Sequence, residues 1–245
     1  CGIPPEPTLT VHEAEPDGIP VDCLPTLLAE HGYRSVLIDQ RGHGRSTGDW
    51  ATYGVRESRD MQRVLDVLEE KGLLAEPLGL WALSFGGATA VQLAEIDDRV
   101  RAMLLISTFA SMRDVVPDYG RAIGFDFLSD EDFVEVVDHA GRHGGFDPDE
   151  ANVIDRFARI DTPTLIMHGE DDRLIPIQHA VRLYHAADRD NVELIRVQRA
   201  GHTTLGDTVV WPIYRPMLNW FDRHLAPIET DATADNQVPA GTAPR

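Results

Sequence analysis

Lysine is all but missing from this chain: Lys71 is the only one among 22 basic residues, against 41 acidic residues and a net charge of −19. Nucleic acids and anionic membranes are bound through clustered Lys and Arg, so this balance excludes both as main partners. Two cysteines, Cys1 and Cys23, are too few for a disulfide framework and supply no metal site. No window holds the roughly 18 apolar residues of a membrane span, and no basic stretch followed by an apolar one opens the chain as a signal peptide. Absent too are a Gly-x-Gly-x-x-Gly fingerprint and a Walker loop, so no cofactor is expected. A cytoplasmic location is expected. The alternative is a lipid-anchored or secreted protein, should Cys1 be a processed lipoprotein N-terminus.

What is present is the composition of an ordinary globular protein, with 42% hydrophobic residues in 245, a length that one α/β domain can fill. Short aliphatic runs recur along the chain: "TLTVH" (8–12), "YRSVLID" (33–39), "LGLWALS" (78–84), "AMLLIS" (102–107), "TLIMHG" (164–169) and "VELIRVQ" (192–198). Between them lie segments of helical period, two of which close on glycine at Gly32 and Gly72. Strand and helix in alternation predict an α/β fold with a doubly wound, mostly parallel sheet over residues 1–225. The connection at 108–163 is too long for a simple crossover and is expected to be a small helical cap. An ordinary crossover helix with extra surface helices is the other reading. Residues 226–245 lack an apolar period and are expected to form a disordered tail.

Chemistry concentrates at the ends of the predicted strands. In "ALSFGG" (82–87) a strand meets a helix at Ser84 among small residues. Such a turn exposes a serine hydroxyl beside free helix N–H groups, yet a serine there also serves simply as a helix N-cap. A nucleophilic serine needs a base oriented by a carboxylate. Asp171 and Asp172 follow the strand at 164–169, and His202 follows the strand at 192–198. In open α/β sheets ligands and catalysts gather at these carboxyl ends.

The chain here resembles the α/β-hydrolase superfamily over residues 8–225, on four motifs in order: "DQRGHGRS" (39–46), "ALSFGG" (82–87), "HGEDDRLIP" (168–176) and "AGH" (200–202). The resemblance is to its serine hydrolases, the esterases, lipases and prolyl-oligopeptidase-like or aminopeptidase-like members. It implies a triad of Ser84, Asp172 and His202, with Asp171 the second candidate for the acid. It also implies an oxyanion hole from the N–H groups of Phe85 and of Ala14, in the loop "HEA" (12–14). Glu13 stands where the family usually has glycine and brings a negative charge towards that hole. Ala82 replaces the first glycine of Gly-x-Ser-x-Gly. Residues 1–245 are not expected to include the family's N-terminal antiparallel strands, as in a truncated form or one whose sheet edge something else covers.

The implied activity is hydrolysis of a small-molecule carboxylic ester, as in a carboxylesterase, or less readily of an amide, through an acyl-enzyme. An acyltransferase with the same triad, or a weak or inactive binding module, are the alternatives. Other residues read blandly. His139 and His143 share a solvated helix face, His43 is a loop residue and His168 packs at a strand end beside Asp172. Trp81, Phe109, Phe125 and Phe127 are expected in the core, the wall of an apolar pocket being the other reading.

Overall fold

The structure is a computed structural model that describes residues 24–187, 189–202 and 211–225, together with the backbone of three short strands. Those strands are β1 (Thr8–Thr10), β2 (Ile19–Pro20) and β7 (Thr208–Val209). Between them run α1 (Leu24–Glu30), α2 (Glu57–Glu70), β3 (Leu78–Leu83), α3 (Phe85–Ile96) and β4 (Val100–Ile106). There follow α4 (Met112–Ala122), α5 (Asp130–Gly144), a 3-10 turn, α6 (Val153–Phe157), β5 (Thr164–Gly169), α7 (Gln178–Ala186), β6 (Val192–Gln198) and α8 (Trp211–His224). Both cysteines and the segment 226–245 lie outside the described residues.

Five strands pair in parallel in the order β1-β6-β5-β4-β3. The centre of the sheet is buried on both faces, which is why its strands are continuous apolar runs and not alternating ones. Along β4, Met103 and Leu105 face α2, α3, α6 and α7, where they pack with Leu65, Val91, Phe157 and Leu183. Leu104 and Ile106 point the other way, onto Leu24 and Leu27 of α1 and onto Tyr214, Met217 and Phe221 of α8. Two helical layers on one sheet are the doubly wound α/β architecture expected from the sequence.

The long connection between β4 and β5 divides by packing. Val153 and Phe157 of α6 join the main core beside Val115 of α4. Val137 of α5 instead meets Met112, Val55 and Ala151 in a separate cluster. Local signals set the limits of α5: Ser129 and Asp132 form a reciprocal capping box, and Gly145 ends the helix at φ 65°.

Two expectations are corrected. Residues 33–39 are not a strand: they lie in no sheet among the described residues, with Val36 and Leu37 52% and 71% exposed. Side chains hold this segment instead, Tyr33 donating to Asp222 at 2.6 Å and Arg34 to the Leu73 carbonyl at 3.1 Å. An apolar run makes a strand only where a neighbour completes its ladder, and none of the described residues does so here. Phe125 and Phe127 are not core residues either. They are 46% and 75% exposed in the loop between α4 and α5, their rings packed on each other, whereas Phe109 is buried.

Candidate active site

Parallel strands bring their carboxyl ends to one edge, and three of them deliver the predicted residues there. Ser84 follows β3, Asp172 follows β5 and His202 follows β6. Only β4 separates β3 from β5, which sets those two strands about 10 Å apart.

Ser84 stands at the N-cap position of α3 with φ 52° and ψ −116°, a conformation that side chains rarely adopt. Its hydroxyl makes no capping hydrogen bond, so a capping role does not account for it. The turn is fixed through the backbone: the Ser84 N–H donates to the Ile106 carbonyl at 2.7 Å, and the Ser84 carbonyl accepts from the Gly87 N–H at 3.0 Å. A Cβ at Gly87 would overlap the Thr108 side chain, so the turn packs against the segment just after β4 because this position is glycine. The Phe85 N–H, at the first position of α3, has no acceptor within the helix.

Asp172 is the better placed of the two candidate acids. Its side chain is fully buried, and Oδ2 lies 2.8 Å from Nδ1 of His202. Oδ1 accepts the N–H groups of Leu174 and Ile175 at 3.0 and 2.9 Å. Burial pushes the Asp172 carboxyl up, but the bonds from His202 and Ile175 outweigh burial and hold it below the usual carboxylate range. Asp171 is exposed. The loop carrying His202 docks on the end of β5: Asp171 N–H donates to the Ala200 carbonyl at 3.0 Å, and a Cβ on Gly169 would run into that carbonyl. Among the described residues no hydrogen bond joins the Ser84 hydroxyl to His202.

Beneath Asp172, His168 is buried, as the sequence suggested. Its Nε2–H donates to the Ile175 carbonyl at 2.7 Å, and the ring lies 3.6 Å from Asp172. Burial pushes the imidazole down to about 4. Ser107, at the end of β4, has φ 48° and a buried hydroxyl with no partner among the described residues. Nothing in the sequence marked it, because strain shows in the backbone and not in residue type.

His12, Glu13 and Ala14 lie outside the described residues. The strand leading to them, β1, pairs with β6, on the opposite edge of the sheet from β3. Phe85 packs its ring on His43 at 5.7 Å and on Tyr53 at 5.6 Å. His139 and His143 are exposed on α5 with rings stacked at 5.9 Å, and the described residues contain no group of three or more ligating side chains that could hold a metal. No helix among the described residues is long and apolar enough to cross a membrane.

Comparison with known proteins bears on the fold and the family. A family model for the alpha/beta hydrolase fold matches residues 18–147, and one for the serine aminopeptidases (S33) matches 150–209. The Bem46 protein of Schizosaccharomyces pombe is 28% identical over 178 residues, 70% of this chain and 53% of its own length. A lysophosphatidylserine lipase of Macaca fascicularis is 29% identical over 171 residues, 66% of this chain and 39% of its own. The chain thus spans about half, or less, of the length of such relatives. Among solved structures, a Pyrococcus furiosus esterase superposes with a TM-score of 0.66 at 19% identity, covering 90% of this chain and 82% of that one. A Paleococcus ferrophilus monoacylglycerol lipase gives 0.56 at 20% identity, covering 89% and 96%. With a family match over more than half of its length, including the turn at Ser84, the chain belongs to the alpha/beta hydrolase fold family.

Proposed function

We propose that the protein is a serine hydrolase that cleaves a carboxylic ester through an acyl-enzyme. The observation that carries this reading is the buried Asp172 carboxylate bonded at 2.8 Å to His202, on the sheet edge where Ser84 is held in a strained turn. With Nδ1 engaged by Asp172, His202 is left with Nε2 for proton transfer. Ser84 Oγ attacks the ester carbonyl while its proton passes to Nε2. The oxyanion of the tetrahedral intermediate takes the Phe85 N–H. Collapse expels the alcohol, which leaves with the proton from His202. Water then repeats the sequence on the acyl-enzyme and releases the acid. Ala14, expected from the sequence as the second oxyanion donor, lies outside the described residues, so the reading rests on Phe85.

Hydrolysis of ester bonds also agrees with the esterase and lipase among the structural neighbours, although the fold alone serves many reactions. The test is labelling with a fluorophosphonate probe and turnover of p-nitrophenyl esters. The wild-type protein should label and Ser84→Ala should not, while His202→Ala should lower kcat by about 10⁴-fold or more. Equal labelling of wild type and Ser84→Ala, or full activity in His202→Ala, would remove those residues from the mechanism.

A further inference from the structure

His168 is wholly buried in β5, between Met167 and Gly169, and takes no part in the bond making proposed for Ser84. Its neighbours Leu165, Ile166 and Met167 are apolar, and a leucine would fill the same place with no polar group to desolvate. The imidazole instead leaves Nδ1 buried with no partner among the described residues. Such a cost calls for a compensating role.

The bonds around the ring lead to the acid. The turn that carries Asp172 leaves the end of β5 and returns to the core at Ile175, while Asp171 and Arg173 on either side of the acid are exposed. The first half of the turn is tied to β6 and the loop after it, where Glu170 and Asp171 N–H donate to the Val197 and Ala200 carbonyls at 2.9 and 3.0 Å. The second half is tied from beneath. His168 Nε2–H donates to the Ile175 carbonyl at 2.7 Å, and Ile175 N–H donates to Asp172 Oδ1 at 2.9 Å. Both backbone polar groups of Ile175 thus belong to one chain of bonds, which runs from His168 to Asp172 and on to His202 Nδ1 at 2.8 Å. The edge of the same imidazole lies 3.6 Å from Asp172 Oδ2, the oxygen that His202 meets. That is too long for a hydrogen bond, but it is a packing contact that walls the carboxylate on that side.

We infer that His168 is a positioning residue for the Asp172–His202 pair: by holding Ile175 it fixes the Asp172 carboxylate, and through that carboxylate the ring of His202. The inference rests on the hydrolase reading above and extends it to what sets the geometry of the pair. His202 must take the proton of Ser84 and return it to the leaving alcohol, and a displacement of about 1 Å in such a site costs about 100-fold in rate. Neither His168 nor Asp172 touches the ester, so the loss falls on kcat and not on KM.

Three variants separate the donor from bulk and polarity. Glutamine brings an amide N–H close to the place of Nε2, asparagine holds its amide near the place of Nδ1 and falls short of Ile175, and leucine has no donor. His168→Leu and His168→Asn should lower kcat for p-nitrophenyl acetate by about 10- to 100-fold per folded molecule with KM within about twofold, and His168→Gln should recover kcat to within about fivefold of wild type. The proton shared by His202 Nδ1 and Asp172 gives a readout that needs no turnover. Its downfield NMR resonance, identified by its loss in His202→Ala, should move or broaden in the leucine and asparagine variants and hold its place in the glutamine variant. Asparagine carries the test if leucine does not fold, and failure of both to fold makes the bond a requirement of folding and overturns the positioning role. A folded leucine or asparagine variant with the kcat and resonance of wild type overturns it too, as does a loss of activity that only follows the loss of folded protein. Those results leave the hydrolase reading standing. A wild-type protein that neither labels with fluorophosphonate nor turns over, yet whose resonance moves as expected in the variants, removes the hydrolase reading and keeps His168 as the support of the Asp172–His202 pair.

Discussion

His168 shows how one buried side chain ties stability to pH. Its Nε2–H is engaged by the Ile175 carbonyl, and Nδ1 is buried with no partner among the described residues. A second proton would therefore place a charge in a site that cannot solvate it. Asp172 favours that charge while His179 and His202 oppose it, and burial outweighs them all, leaving the group near 4 instead of 6.5. The folded pKa lies below the unfolded one. The unfolded chain thus binds the proton first, and stability falls as pH drops from about 6.5 towards 4, by up to about 1.4 kcal/mol per pH unit. His179, also buried and shifted down mainly by burial, adds to the same window. Asp172 is held below its usual range, so its contribution is lost only at lower pH. Urea unfolding of wild type and His168→Gln across pH 4 to 7 checks this. The glutamine can keep a donor for the Ile175 carbonyl and does not titrate, so its stability curve should be flatter by about one proton. Parallel curves would clear His168.

Between elements, the close approach of β5 to the loop after β6 decides whether Asp172 and His202 meet. Gly169 lets the Ala200 carbonyl lie against β5, and Asp171 N–H then holds that carbonyl at 3.0 Å. Gly169→Ala should push the loop away because the obstacle is backbone and cannot rotate aside. Expected results are a loss of about 1–3 kcal/mol in stability and a larger fall in kcat than in affinity for substrate. Activity unchanged within twofold would show that the His202 loop is not set by this contact. The pairing of Asp172 with His202 was legible in the sequence, since "HGEDDRLIP" and "AGH" carry their chemistry in residue type and order. The segment 33–39 misled for the opposite reason: its apolar pattern satisfies a strand, but pairing is a property of the neighbour. Tyr53 and Ser107 escaped notice because left-handed backbone at a non-glycine residue has no compositional mark. Phe125 and Phe127 misled because apolar character does not say whether a loop is covered.

Over the whole molecule, the acidic excess sets how stability responds to salt. A net charge of −19 repels itself in the compact state more than in the unfolded chain. Arginines offset this locally and not globally. Arg99 pairs with Asp97, Asp66 and Glu69 at 2.6 to 2.7 Å, and Arg113 spans Asp138 and Asp149. Most of these partners are solvent-exposed, and exposed pairs contribute about 0–1 kcal/mol each. Salt weakens both effects, but the repulsion acts over the whole surface and is felt most when the screening length, about 30 Å at 0.01 M, is comparable to the molecule. Raising NaCl from 0.01 to 0.5 M should therefore raise Tm, at about 2–4 °C for each kcal/mol of repulsion removed. Sodium sulfate at equal ionic strength should raise it further, because sulfate also strengthens apolar burial. A fall in Tm with NaCl would mean that the arginine pairs outweigh the surplus of carboxylates. The net charge would then govern solubility and encounter with ligands, and the stability of the fold would rest on the two apolar layers around β4.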